Sequence, residues 1–191
     1  MKLPAPAALL LFVLGGCAAL IGDHSHVATG TTQYLSDAVP FIWSSPFWFP
    51  LMVGAATVSL AELRLHLPAP RTDVTVRQGV AGVAVVVGAY VITALVHTAP
   101  GVPATALIVA IAAVTWCIVG DRPALVCGVL AAVVGPVVEI GLVEVGVFRY
   151  SADCDSLFGV GPWLPPLYFA FGVVAALLGE VGARARQPQM V

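Results

Sequence analysis

Six apolar stretches, each about as long as a bilayer crossing, constrain this chain more than any other feature. A hydrocarbon core is spanned by about 20 apolar residues in helical conformation. Here the stretches fall at residues 4–22, 46–67, 78–97, 103–119, 123–147 and 163–183. Backbone in lipid must satisfy its own hydrogen bonds, which predicts a helix for each. The breaks are built from turn formers. Residues 22–37 are polar, 68–73 read PAPRTD, 98–103 read TAPGVP, and 120–123 read GDRP. The chain is 60% hydrophobic and 9% charged, whereas soluble domains carry about 25% charged residues. The predicted fold is all-α, a single six-helix transmembrane domain over residues 1–191.

Orientation follows from Lys and Arg, which concentrate on cytoplasmic loops. With the amino terminus inside, Lys2, Arg64, Arg71, Arg77, Arg122, Arg184 and Arg186 all fall inside, and only Arg149 falls outside. Both termini are therefore expected in the cytoplasm, in a multi-pass protein of the inner (plasma) membrane. The first stretch also contains a lipoprotein-like run, Leu14-Gly15-Gly16-Cys17, and cleavage before Cys17 is the alternative for that segment.

Net charge is −2, with no basic stripe, so nucleic acid is not an expected partner. The four cysteines form no CxxC pair and no zinc spacing, and are expected as separate thiols; a Cys17–Cys154 bridge is the alternative. The run DHSH at 23–26 offers metal-ligating side chains, but it reads as a solvated loop, and no metal or cofactor is expected. No nucleophile motif, phosphate-binding loop or nucleotide turn appears, so nothing argues for an enzyme. Small residues recur four apart at Ala84/Gly88, Gly128/Ala132, Ala131/Gly135 and Gly179/Ala183, a spacing that lets membrane helices approach closely.

The segment SSPFWFP at 44–50, followed by Gly54-Ala55-Ala56-Thr57, resembles the second helix of the Insig family. So do WCIVGDR at 116–122, GVFRYS at 146–151, Trp163-Leu164-Pro165 and YFAFG at 168–172. The likeness covers roughly residues 43–172. Two departures stand out: Pro123-Ala124 replace a Ser-rich turn, and long polar ends are absent. With its high Ala, Val and Gly content, the chain resembles a bacterial homologue. The family comprises membrane proteins that bind oxysterols and hold Scap and HMG-CoA reductase. The resemblance implies six helices, a regulatory role, and a partner contact at Asp121, with Arg122 beside it. A homo-oligomer or a membrane-protein partner is expected on that ground.

The residues themselves point to a lipid. The helices carry almost no cation to pair a phosphate, whereas Gln33, Tyr90, Thr93, Glu139 and Glu144 can hydrogen-bond hydroxyls. The expected ligand is neutral with a small hydroxylated head, such as a diacylglycerol- or sterol-like molecule. The aromatic run at 43–50 reads either as an interfacial aromatic belt at a helix start or as a pocket entrance beside Phe47 and Trp48, where Pro50 can open the second helix; on the second reading Trp48, Tyr90 and Thr93 are expected to line one cavity open to the outer leaflet. By the 1.5 Å helical rise, Glu139 lies about 6 Å beyond the midplane, level with Thr93, and Glu144 about 13 Å, level with His97. A carboxyl at the depth of Glu139 is expected to be protonated or paired, with Thr93 or the lipid as its partner. Glu144 is expected to pair with His97 or Arg149; the alternative is that both glutamates face a wet outer vestibule without a partner. Two glutamates at membrane depth also fit a proton-coupled transporter, and a ligand-free assembly protein is the third class.

Overall fold

The structure, a computed structural model, describes residues 2–184; Arg186, counted in the charge bias, lies outside them. Six helices follow one another: α1 (Ala5–Thr29), α2 (Trp48–His66), α3 (Val76–Leu95), α4 (Gly101–Val119), α5 (Arg122–Glu144) and α6 (Leu164–Arg184). Short connections join α2 to α3, α3 to α4 and α4 to α5, whereas residues 30–47 and 145–163 join α1 to α2 and α5 to α6. One end of the bundle carries the charged loops, and the other carries four short strands. Helices α1, α3, α4, α5 and α6 are long and apolar enough to cross a membrane. Helix α2 falls short of that measure, with Glu62, Arg64 and His66 in its last two turns.

Two findings differ from the expectation of helices alone. The strands β1 (Thr32–Tyr34) and β4 (Phe148–Tyr150) pair antiparallel, as do β2 (Phe41–Ile42) and β3 (Ser45–Pro46). The second difference is the length of α1, which runs to Thr29 and takes in the DHSH segment. The reason is visible in its buried stripe. Gly15, Ala19, Gly22, Asp23 and His26 recur at helical spacing, so the buried face continues where the hydropathy stops.

Local chemistry sets the helix starts. Thr75 and Gln78 form a capping box at α3. Asp121 caps α5, accepting from the Ala124 amide at 2.7 Å, with Pro123 in the first turn. Helix α6 is the hub and packs against each of the other five. Its small residues permit this. A Cβ on Gly172 would lie 2.4 Å from the Cys127 carbonyl oxygen of α5, and one on Gly179 would lie 2.5 Å from that of Ala61 in α2.

Candidate functional site

Near the strand end, four helices bring buried polar side chains into an otherwise apolar interior. Helix α5 carries an internal proline, Pro136, and Glu139 follows one turn later, 7% exposed. After α5 ends, Gly146 adopts φ +74, a left-handed conformation that suits glycine and turns the chain back. Strand β4 then lies along β1 in the register Thr32↔Tyr150, Gln33↔Arg149, Tyr34↔Phe148. This return brings Tyr150 under the helix it has just left. Its hydroxyl donates to Glu139 Oε2 at 2.6 Å. The other oxygen, Oε1, accepts from the Tyr168 hydroxyl of α6, also at 2.6 Å. Tyr168 reaches Glu139 across Gly135, where a Cβ would lie 2.4 Å from the ring.

A second tyrosine is seated the same way. The ring of Tyr90 on α3 covers Gly22 of α1, where a Cβ would come within 1.9 Å. It meets His26 edge-on, with ring centroids 4.8 Å apart. The fully buried Thr93 faces His26 Nε2 at 2.9 Å and donates to the Tyr90 carbonyl at 2.6 Å. The Tyr90 hydroxyl makes no hydrogen bond among the described residues. Neither does the buried indole N–H of Trp163, which belongs to the same apolar cluster. The two donors share that cluster and have no protein acceptor among the described residues.

Toward the bundle mouth, Asp23 accepts from Tyr34 at 3.0 Å and from Ser45. His24 holds Ser44 at 2.7 Å and stacks on Trp43, ring centroids 3.9 Å apart. Trp43 sits at φ +60 at the tip of the β2–β3 hairpin, a strained conformation for a bulky residue, and is 63% exposed. A cavity of about 630 Å³, lined in part by Gln33, Tyr34, Phe41 and Ser44, opens there. Burial, then the neighbouring Asp23 carboxylate, hold the Tyr34 hydroxyl protonated well above the ordinary phenol range. Burial and Glu139 do the same for Tyr150.

Of the expected site residues, Tyr90, Thr93 and Glu139 line this region. The partner expected for Glu139 was Thr93 or a lipid; the structure gives it two tyrosines, because β4 folds back and Thr93 is taken by His26. Glu144 is exposed, with no partner among the described residues, so pairing with His97 or Arg149 is not seen. Arg149 bonds Gln33 at 2.8 Å on the exposed sheet, and His97 Nδ1 lies 2.8 Å from the Ala94 carbonyl. Trp48 packs edge-on against Phe49, Phe47 is exposed, and α1 packs against both α2 and α3. Asp23, His26, Tyr34, Tyr150, Trp163 and Tyr168 were not foreseen as site residues. The DHSH run places Asp23 and His26 inward on a helix, which corrects the solvated-loop reading.

The charged end is tied separately. Arg64, fully buried, reaches Glu180 Oε1 at 2.6 Å and Asp121 Oδ2 at 2.7 Å. Arg71 holds Glu180 Oε2 at 2.7 Å and donates to the Val119 carbonyl. Asp121 therefore faces into the bundle, joining α2, α5 and α6, while Arg122 is exposed.

No family model matches the chain. It is 68% identical over 190 residues to the INSIG protein homolog of Mycolicibacterium vanbaalenii, covering 100% of this chain and 93% of that protein. The chain belongs to the Insig family. Other Insig proteins are more distant: the insulin-induced gene 1 protein of Gallus gallus is 26% identical over 178 residues, 90% of this chain and 70% of that one. Among solved structures, the mycobacterial Insig homolog MvINS superposes with TM-score 0.97 at 67% identity, covering 100% of both chains. A second structure is a cross-linked MvINS R77C trimer, with TM-score 0.97 and 66% identity, again over 100% of both chains. An Insig protein is an integral membrane protein, as the apolar helices require.

Proposed function

We propose that this Insig homologue binds a neutral membrane lipid with a small hydroxylated head, diacylglycerol-like or sterol-like, in the polar region between α1, α3, α5 and α6, and acts as a sensor or regulator. The observation that carries the reading is the buried Glu139 held by two phenols, with the Tyr90 hydroxyl of the adjoining cluster making no hydrogen bond among the described residues. A ligand pocket of this kind has apolar walls and a few placed polar groups. Among the described residues the site holds no Lys or Arg for a phosphate, which favours a neutral head. A proton relay fits less well, because Glu139 is held by two phenols while Glu144 is exposed and unpartnered among the described residues.

In this reading all six helices span the inner membrane, with the charged end and both termini cytoplasmic. Asp121 works through the latch with Arg64 and leaves Arg122 to meet any partner. The chain assembles as a homotrimer, as its mycobacterial relative does in the cross-linked form. The test is lipid mass spectrometry on the purified protein. A neutral glycerolipid or sterol-like molecule should co-purify at about one per chain, and only bulk phospholipid in wild type would refute the proposal.

A further inference from the structure

Two tight turns at the strand end of the bundle present aromatic side chains where a glycine is usual. In the β2–β3 hairpin Ile42 pairs with Ser45, so Trp43 and Ser44 are its two central residues. In the loop before α6, the Leu157 amide donates to the Val160 carbonyl and the Val160 amide to the Leu157 carbonyl, which leaves Phe158 and Gly159 as the central pair. Two-residue hairpins need a positive φ at the first central position, and Gly, Asn or Asp usually supplies it. Here Trp43 has φ +60 and Phe158 has φ +52. Both rings are displayed to the outside: Trp43 is 63% exposed and Phe158 76%. Bulky residues persist in this conformation only where their surroundings hold them, and such positions cluster at functional sites.

The depth of the tips points to lipid. The Trp43 ring stacks on His24, and Ser44 bonds the same histidine, so the hairpin is folded back against the flank of α1. His24 lies five residues before the end of α1 at Thr29, about 7.5 Å back along the helix toward the middle of the bundle. The apolar run of that helix stops at Gly22, about 3 Å further in. Trp43 is therefore level with the boundary where hydrocarbon gives way to headgroups. The second tip is level with the end of α5: a Cβ on Gly159 would lie 3.2 Å from Val143 Cγ1, and α5 ends at Glu144. Around Trp43 the surface is apolar, with Phe41, Ile42 and Phe47 exposed. No Lys or Arg occurs at 39–47 or 156–163, so nothing there selects an anionic surface. Aromatic rings, Trp above all with its apolar body and polar N–H, favour this boundary.

We propose that the strand end of the bundle is anchored in its leaflet by these two tips, Trp43 beside α1 and Phe158 beside α5, each seated at the boundary between headgroups and acyl chains. The occupant of this surface is bilayer lipid, held through burial of apolar area and not through headgroup charge. The inference is independent of the polar site: it requires that the chain spans a membrane, and not that a lipid enters the bundle. It accounts for the residue type at both turns, since a glycine at either tip would make the turn and leave nothing in the leaflet. The pairing of β1 with β4 joins the segment after α1 to the segment after α5, so the two tips hold one connected cap.

The experiment is tryptophan fluorescence of the protein in phosphatidylcholine vesicles, which carry no net charge. The Trp43 signal is the wild-type emission less that of Trp43→Phe, and the Phe158 position is read from the emission that Phe158→Trp adds. Both signals should be quenched by phosphatidylcholine brominated in the upper part of its acyl chains, less by the same lipid brominated near the chain ends, and scarcely by iodide in the water. Either signal quenched by iodide and indifferent to brominated lipid would overturn the proposal, because that tip would stand in water. A signal sheltered from both quenchers would overturn it too, since protein would then cover the tip. Phe158→Trp leaves the β2–β3 hairpin untouched, so the second tip is read even where Trp43→Phe fails to fold.

Discussion

Glu139 is the residue on which the polar site turns. Both of its oxygens accept from phenols at 2.6 Å, and the carboxyl lies deep in the bundle. Replacing it with leucine strands two hydroxyls, at about 1–3 kcal/mol each. Glu139→Leu should lower thermal stability and co-purifying lipid together, whereas Glu139→Gln, which keeps one acceptor and adds a donor, should retain most of both. Differential scanning calorimetry with lipid quantification checks this. The tyrosines of the strands set an alkaline limit. The hydroxyls of Tyr34 and Tyr150 are raised above their ordinary 10.0, by burial first and neighbouring carboxylates next. Below pH 10 both the folded and unfolded chains keep these protons, and the stabilisation is complete. Above pH 10 the unfolded chain releases them while the folded one holds them, so stability falls as pH rises. Melting temperature against pH should drop from about pH 10 upward, and less steeply in Tyr150→Phe.

At the level of elements, seating glycines and a buried ion network hold the helices in place. Gly135→Ala puts a methyl where the Tyr168 ring lies and should displace that ring from Glu139. Reduced lipid occupancy with unchanged helicity by circular dichroism is the expected result. At the charged end, Glu180→Ala leaves the fully buried Arg64 with Asp121 as its one carboxylate partner. Breaking a buried pair by removing one partner costs about 3–5 kcal/mol, so this variant should melt well below wild type, and Arg122→Ala should not. Much of this architecture was legible in the sequence. The six apolar runs and their proline turns found the helices to within a few residues, since hydropathy and helix breaking are local properties. The extension of α1 through Asp23 and His26 escaped because those polar residues are buried by α3 and the strands, which no local window sees. The signal that could have found it is the Gly15, Ala19, Gly22, His26 stripe.

At the scale of the whole molecule, the site is assembled from parts far apart in sequence. Glu139, Tyr90 and Thr93 were readable as intramembrane polar groups, but one partner of Glu139, Tyr150, depends on β4 folding back onto β1, a pairing across more than a hundred residues, and the partner of Thr93 is His26 of α1. The topology can be checked directly. Reporter fusions at residue 191 and in the loop near Asp153 should report opposite compartments, with the first cytoplasmic; the same compartment for both would contradict six spans. The most direct test of the account is to label the protein in vesicles with a photoreactive diacylglycerol and map the modified peptides. The account predicts label on the strand-end halves of α3, α5 and α6, around Tyr90, Glu139 and Tyr168, displaced by excess diacylglycerol and not by phosphatidylglycerol. Label spread over the outward residues of α5, such as Val129 and Val133, and indifferent to diacylglycerol, would contradict it.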